Sequence, residues 1–225
     1  KWHQLSNGKV KLPIVFKTQG GAGRRNSSQH SQCLENWFVN IPGLITVMPS
    51  SPYEVKGLLK SAIRDDNPVV FIEHKALYFE KGEVPEEEYL IPLGVADVKR
   101  QGKDVTIVAT SWMVSFALKA AAQLEGEGIS CEVIDPRTLW PLDKQTIINS
   151  VKKTGRLIVA SEASTFVSIS SEIAARVAEK AFYHLEAPVL RVGGFDVPYQ
   201  AAKLEEVFLP DADRILEAVD RVLSY

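Results

Sequence analysis

The chain has 225 residues, 45% of them apolar and 24% charged, with a formal net charge of −2. That is the composition of a globular protein, long enough to bury roughly 70–75% of its unfolded surface without disulfide or metal staples. The small net charge and a pI near 6.1 give no electrostatic reason to expect nucleic acid or an anionic membrane as partner.

Cys33 and Cys131 match no metal spacing and favour a reduced intracellular setting. No apolar run reaches membrane-spanning length, and the opening KWHQLSNGKVKLP lacks the apolar core of a signal peptide.

Taken in chain order, β-type runs alternate with helical patterns, as in βα units around a mostly parallel sheet. A strand is predicted at 13–16, then the turn TQGGAG, then one helix over 28–39 stopped by Pro42-Gly43. A strand follows at 44–48. Ser51-Pro52-Tyr53-Glu54 has the form of a capping box, with proline at the first helical position. The helix it starts sets Val55, Leu58, Leu59, Ala62 and Ile63 on one face and stops at 65–68, ahead of Pro68. A buried strand returns at 69–73. Residues 80–104 are acidic, proline-bearing and aperiodic, and read as a linker in which Glu86, Glu87 and Glu88 form a solvated face.

Beyond the linker, strands are predicted at 105–110, 129–135, 156–161 and 189–192, with helices at 112–124, 143–153, 171–185 and 213–223. Such a set makes a complete doubly wound domain. The first unit, with its three strands and two helices, has too few elements to cover both faces of a parallel sheet.

His30, after the glycine turn, is either a cap or packing residue or a group at the carboxyl edge of the sheet, where ligands collect in open α/β folds. Cys33, one helical turn on, is either a small buried hydrophobe or the thiol of a Cys–His pair, and the first is favoured. Gly21 does not open a dinucleotide fingerprint, since the required third glycine is Asn26. Arg24-Arg25 reads equally as a solvated pair or as a patch for an acidic partner.

The segments PIVFKTQGGAG, QHSQ, PGLITVMPSSPYEVKGLLKSAIRDDNPVVFIEHK, CEVIDPRTLWPLD and EAPVLRVGG together resemble one family across essentially the whole chain. It is the beta subunit of the thiamin-diphosphate-dependent decarboxylating component of 2-oxo acid dehydrogenase complexes, a group that includes the pyruvate, branched-chain and acetoin enzymes. The resemblance implies an α/β fold. A partial pyrimidine-binding parallel-sheet domain would occupy 1–88, and a transketolase C-terminal-type doubly wound domain 89–225. His30 would be catalytic, steadying charge on the reacting 2-oxo acid and assisting acyl transfer to the lipoyl group. Ile14, through its backbone, with Ala62, Ile63, Asp65 and Asn67 would bind K+ and stiffen the loop near the cofactor.

The resemblance further implies that thiamin diphosphate is shared with an alpha subunit, which holds the Mg2+. A second beta chain would complete a heterotetramer, and a lipoyl acyltransferase core would dock on the second domain. The compartment would be the cytoplasm, or the mitochondrial matrix in a eukaryote, and the substrate of pyruvate or acetoin type. Asp135-Pro136-Arg137-Thr138 would pack at a subunit interface. Relatives usually carry glycines where Phe166-Val167-Ser168-Ile169-Ser170 stand, which questions the usual packing of that loop. They also carry a segment ahead of Lys1, with the glutamate that activates the cofactor, so the chain alone is expected to be inactive. Two competing readings are a non-catalytic assembly or regulatory module and the C-terminal part of another transketolase-like enzyme.

Overall fold

The computed structural model describes residues 1–225. The first half contains α1 (Trp2–Leu5), β1 (Val15–Gly20), α2 (Ser27–His30), α3 (Glu35–Val39), β2 (Ile45–Val47), α4 (Pro52–Arg64) and β3 (Val69–His74). The second contains β4 (Asp97–Arg100), β5 (Val105–Ala109), α5 (Met113–Glu125), β6 (Cys131–Asp135) and β7 (Thr138–Trp140). These are followed by α6 (Lys144–Thr154), β8 (Leu157–Ser164), α7 (Ile169–Ala181), β9 (Leu190–Gly194), α8 (Glu205–Phe208) and α9 (Ala212–Leu223).

Two sheets result, with strand orders β1-β3-β2-β7 and β4-β6-β5-β8-β9. In the first, β1, β3 and β2 are parallel, Val15 facing Val69 and Ile45 facing the same residue from the other side. Along β2 and β3 alternate side chains leave opposite faces. Val47, Val69 and Phe71 meet Leu58 and Ala62 of α4. Met48, Val70 and Ile72 meet Val108, Ile134, Leu139 and Ile147 of the second half. The shortage of covering elements foreseen for the first unit is therefore met from within the chain.

The second sheet is doubly wound as expected. Val105, Ile107 and Val133 pack under α5 and α9, while Val108, Ile134 and Val159 pack under α6 and α7.

Local signals explain the best-placed helices. Ser51 Oγ accepts from Glu54 N at 3.3 Å, and Asp143 caps α6 by accepting from Thr146 N at 3.1 Å. The Glu54 carboxylate does not return to Ser51. It accepts from Ser50 N and Ser50 Oγ, both at 2.8 Å, and its other oxygen is paired with Lys99 of β4.

Three expectations need correction. The single helix over 28–39 is two short helices, because the chain between them leaves the helical path, with Ser31 buried and Cys33 donating to a carboxylate of the site described below. The strand after Pro13 begins at Val15 and runs on to Gly20, through residues read as a turn. The linker over 80–104 contains β4, an antiparallel edge strand of the second sheet. The motif expected at a subunit interface also makes bonds inside the chain. Asp135 is buried, Arg137 Nη2 donates to the carbonyls of Val95 and Ala96 at 3.0 and 3.2 Å, and Thr138 begins β7. β7 adds antiparallel to β2 and so completes the first sheet.

Candidate functional site

Strands from both sheets bring their carboxyl ends to one place. β3 ends at His74, β1 at Gly20, and Glu162 lies in the last half of β8. His74 Nε2 and Glu162 Oε2 are 2.5 Å apart, with side-chain exposures of 3% and 5%. Such a buried, close imidazole–carboxylate contact is charge-assisted because the acceptor is an ionised carboxylate. The His74 ring also leans on Trp112, centroids 5.0 Å apart. Gly21 makes this approach possible. Its φ is +83°, and a Cβ there would stand 1.9 Å from His74 Nε2.

The other oxygen of Glu162 collects three donors. Ala22 N lies at 2.7 Å, Tyr199 Oη at 2.6 Å and Cys33 Sγ at 3.3 Å. Burial pushes the Glu162 carboxyl upward, but the His74 bond and charge with the Tyr199 and Ala22 bonds outweigh it, and the group stays below its ordinary 4.5. Cys33 moves the other way. Burial, then the Glu162 and Glu35 charges, push its thiol well above 9.0. It is a hydrogen-bond donor with no thiolate character, so the Cys–His pair considered above does not form. Burial likewise pushes the Tyr199 phenol far upward, and raises Glu35 to about 7. A space of about 20 Å³ beside Glu35, His74 and Glu162 has room for one water.

His30 stands exposed at the end of α2. Its backbone carbonyl accepts from Lys75 Nζ, which also donates to Gly21 O at 3.2 Å. An open groove of about 530 Å³ runs beside this loop, walled by Gln29, Gln32, Tyr199 and Phe195, and His30 is not part of that wall. A second groove of about 760 Å³ shares Cys33, Ala163 and Ser164 and is bordered by Trp37, Trp140, Phe166 and Val167. Val167 is a β-branched residue at φ +46°. Arg24 and Arg25 are used within the chain, Arg24 over the Phe79 ring at 4.6 Å and Arg25 against Glu206 at 2.9 Å.

Ile14, Ala62, Ile63, Asp65 and Asn67 gather at the opposite edge of the first sheet. Ile14 O accepts from Val69 N at 2.8 Å, and Asp65 Oδ1 accepts from Asn67 N and Nδ2 at 2.8 and 2.9 Å. From Val15 to Gly20 the strand covers about 17 Å, so this corner is not beside His30 and reaches it only through β1 and β3. His74 and Glu162 were missed by sequence reasoning. A polar residue closing an apolar strand, as in VVFIEH and LIVASE, is the signal that could have found them.

Residues 1–81 match the model of the transketolase pyrimidine-binding domain and residues 94–215 that of the transketolase C-terminal domain. A 2-oxoisovalerate dehydrogenase subunit beta of Bacillus subtilis is 45% identical over 97% of this chain and 68% of its own length. The chain belongs to the transketolase-type dehydrogenase beta subunits. The beta subunit of the acetoin:2,6-dichlorophenolindophenol oxidoreductase of the same organism is 48% identical over 100% of this chain and 66% of its own length. A Rhizobium meliloti pyruvate dehydrogenase E1 component subunit beta is 46% identical over 97% of the chain and 48% of its own length. This beta-type chain thus spans about half to two thirds of the length of these relatives. A solved split-gene transketolase, described as an inactive beta4 tetramer, superposes with a TM-score of 0.80 at 26% identity, over 99% of this chain and 71% of that one.

Proposed function

We propose that the chain forms the beta-side wall of a composite active site. The reaction is decarboxylation of a 2-oxo acid of pyruvate or acetoin type, with acyl transfer to lipoamide. One observation carries this reading: His30 is exposed on a loop at the carboxyl end of parallel strands, and that loop is tied at both ends to one buried carboxylate. An imidazole held there can both donate and accept a hydrogen bond, which suits charge developing on a bound 2-oxo acid.

Thiamin diphosphate, when bound, supplies the electron sink for the loss of carbon dioxide. The residues present fit one wall of its site. Gln29, Gln32 and Tyr199 offer polar groups along the groove, but no group of three His, Cys, Asp or Glu side chains is placed to hold a metal ion. The Mg2+ and the diphosphate are assigned to a separate alpha subunit, as the family resemblance implies. Ile14, Ala62, Ile63, Asp65 and Asn67 are assigned to K+, because they gather at one corner and offer only oxygen ligands.

The partners in this proposal are an alpha subunit and a second beta chain in a heterotetramer, with a lipoyl acyltransferase core, and neither nucleic acid nor membrane. Exposed Trp37, Phe166 and Val167 along the larger groove support such assembly. No helix is long and apolar enough to cross a membrane. The cytoplasm, or the mitochondrial matrix in a eukaryote, is the proposed compartment.

The test is single-turnover acyl transfer to lipoamide by the assembled alpha–beta complex. His30→Ala is expected to abolish transfer while sedimentation shows intact assembly. Transfer at the wild-type rate in that variant refutes the assignment of His30. Calorimetry of thiamin diphosphate with the chain alone and with its alpha subunit separates an enzyme half from a non-catalytic module, since only the former completes a binding site on assembly.

A further inference from the structure

We infer that Glu162 is the positioning residue for the His30 loop, an inference that rests on the role proposed above for His30. Residues 23–30 are all exposed, so burial does not fix their place. The loop is held instead from outside itself. Ala22 and Cys33, which bracket it, bind the same oxygen of Glu162, at 2.7 and 3.3 Å. Between them, Gly23 N and Arg25 N donate to Glu205 Oε1 at 2.8 and 3.1 Å, and Lys75 holds the carbonyls of Gly21 and His30. Glu162 is the hub of this arrangement because Ala22 and Cys33 converge on one of its oxygens, while Lys75 supports the loop through the carbonyls of Gly21 and His30.

The hub is also fixed in place. Its second oxygen is engaged by His74 at the end of β3, and Tyr199 shares the first oxygen at 2.6 Å. A carboxylate therefore ties together β3, β8, the segment after β9 and the His30 loop. Its four donors leave no room for an amide. A glutamine would present one oxygen and one NH2, and the NH2 must face groups that now donate.

The experiment uses the assembled alpha–beta complex with Glu162→Gln and Glu162→Asp. Deuterium exchange of the peptide covering residues 21–33 and tryptic cleavage after Arg24 or Arg25 report the loop without reference to activity. Glu162→Gln is expected to speed exchange in that peptide about tenfold, the worth of about one lost hydrogen bond. Other peptides away from the site should keep their rates. A loop displaced by about 1 Å lowers the acyl-transfer kcat about 100-fold. KM for the 2-oxo acid changes less than about twofold, since His30 acts on the reacting group more than on ground-state binding. Glu162→Asp, which keeps the charge, restores part of both effects.

Unchanged exchange in the loop overturns the inference whatever the rate does, and so does faster exchange with wild-type turnover. A uniform rise in exchange across the chain overturns it too, since that is the mark of a merely structural residue. Tyr199→Phe removes a single donor and serves if the Glu162 variants do not fold. It should speed exchange of the peptide covering residues 21–33 by a smaller factor, and no change there overturns the inference. If His30→Ala alone proves silent, the reading of His30 fails, while the exchange data still judge Glu162.

Discussion

Glu35→Gln isolates a charge that the fold keeps neutral. Glu35 opens α3 and is 2% exposed. Burial raises its carboxyl from 4.5 to about 7, opposed by its own backbone N–H and reinforced by the Glu162 charge. A carboxyl with a raised folded value binds its proton more tightly in the folded chain. Its contribution to stability is therefore complete below about pH 4.5 and is lost as pH climbs to about 7. From those two values the loss is about 1 kcal/mol at pH 5 and about 3 kcal/mol at pH 8. The glutamine variant has no proton to lose. Urea unfolding followed by tryptophan fluorescence should therefore show the variant gaining about 2 kcal/mol on the parent between pH 5 and pH 8. With a urea dependence of about 2–3 kcal/mol per molar, that is a midpoint difference of about 1 M. The same offset between the two proteins at both pH values refutes the reasoning, because the pH-dependent burden then lies on another group.

Val167→Gly should stabilise the chain. It removes a β-branched residue from φ +46° at an exposed site, a gain of about 1–3 kcal/mol less about 0.5–1 for glycine's extra freedom when unfolded. A melting temperature unchanged or lowered contradicts this. Gly21→Ala should cost about 2–4 kcal/mol, because its Cβ displaces His74 from Glu162 and its φ of +83° is strained for alanine. A urea midpoint within error of the parent counts against it. Replacing lithium by potassium at about ten times the dissociation constant should add about 1 kcal/mol, or about 2–4 °C in melting. Identical melting in the two salts removes the assignment at Ile14, Ala62, Ile63, Asp65 and Asn67.

The parts legible in the sequence are those with local causes. Val105–Ala109 and Val69–His74 are apolar runs buried on both faces, and Ser51 and Asp143 are caps that announce their helices. The parts that were not legible depend on distant partners. β4, with sequence DVKR, and β7, with TLW, carry no strand pattern of their own and exist because β6 and β2 offer edges. The helix expected over 28–39 is built largely from weak helix formers such as Ser, His, Cys, Asn and Val, and Cys33 leaves it to donate to Glu162, 129 residues away. For the same reason His30 could be proposed from the motif it sits on, while His74 and Glu162 carry only the faint mark of a polar residue closing an apolar strand, and their pairing spans 88 residues.

The exchange of β7 into the first sheet has a consequence for how the chain comes apart. Thr138 and Trp140 pair with Val47 and Thr46, so a strand encoded downstream closes the upstream sheet. Proteolytic nicking in the exposed stretch 81–88 would then release no free module, since the two pieces stay interlocked through that rung and the apolar contact beneath it. Expressed separately, the upstream piece would present the bare flank of β2 to its own kind, and co-expression of both pieces should rescue it by complementation.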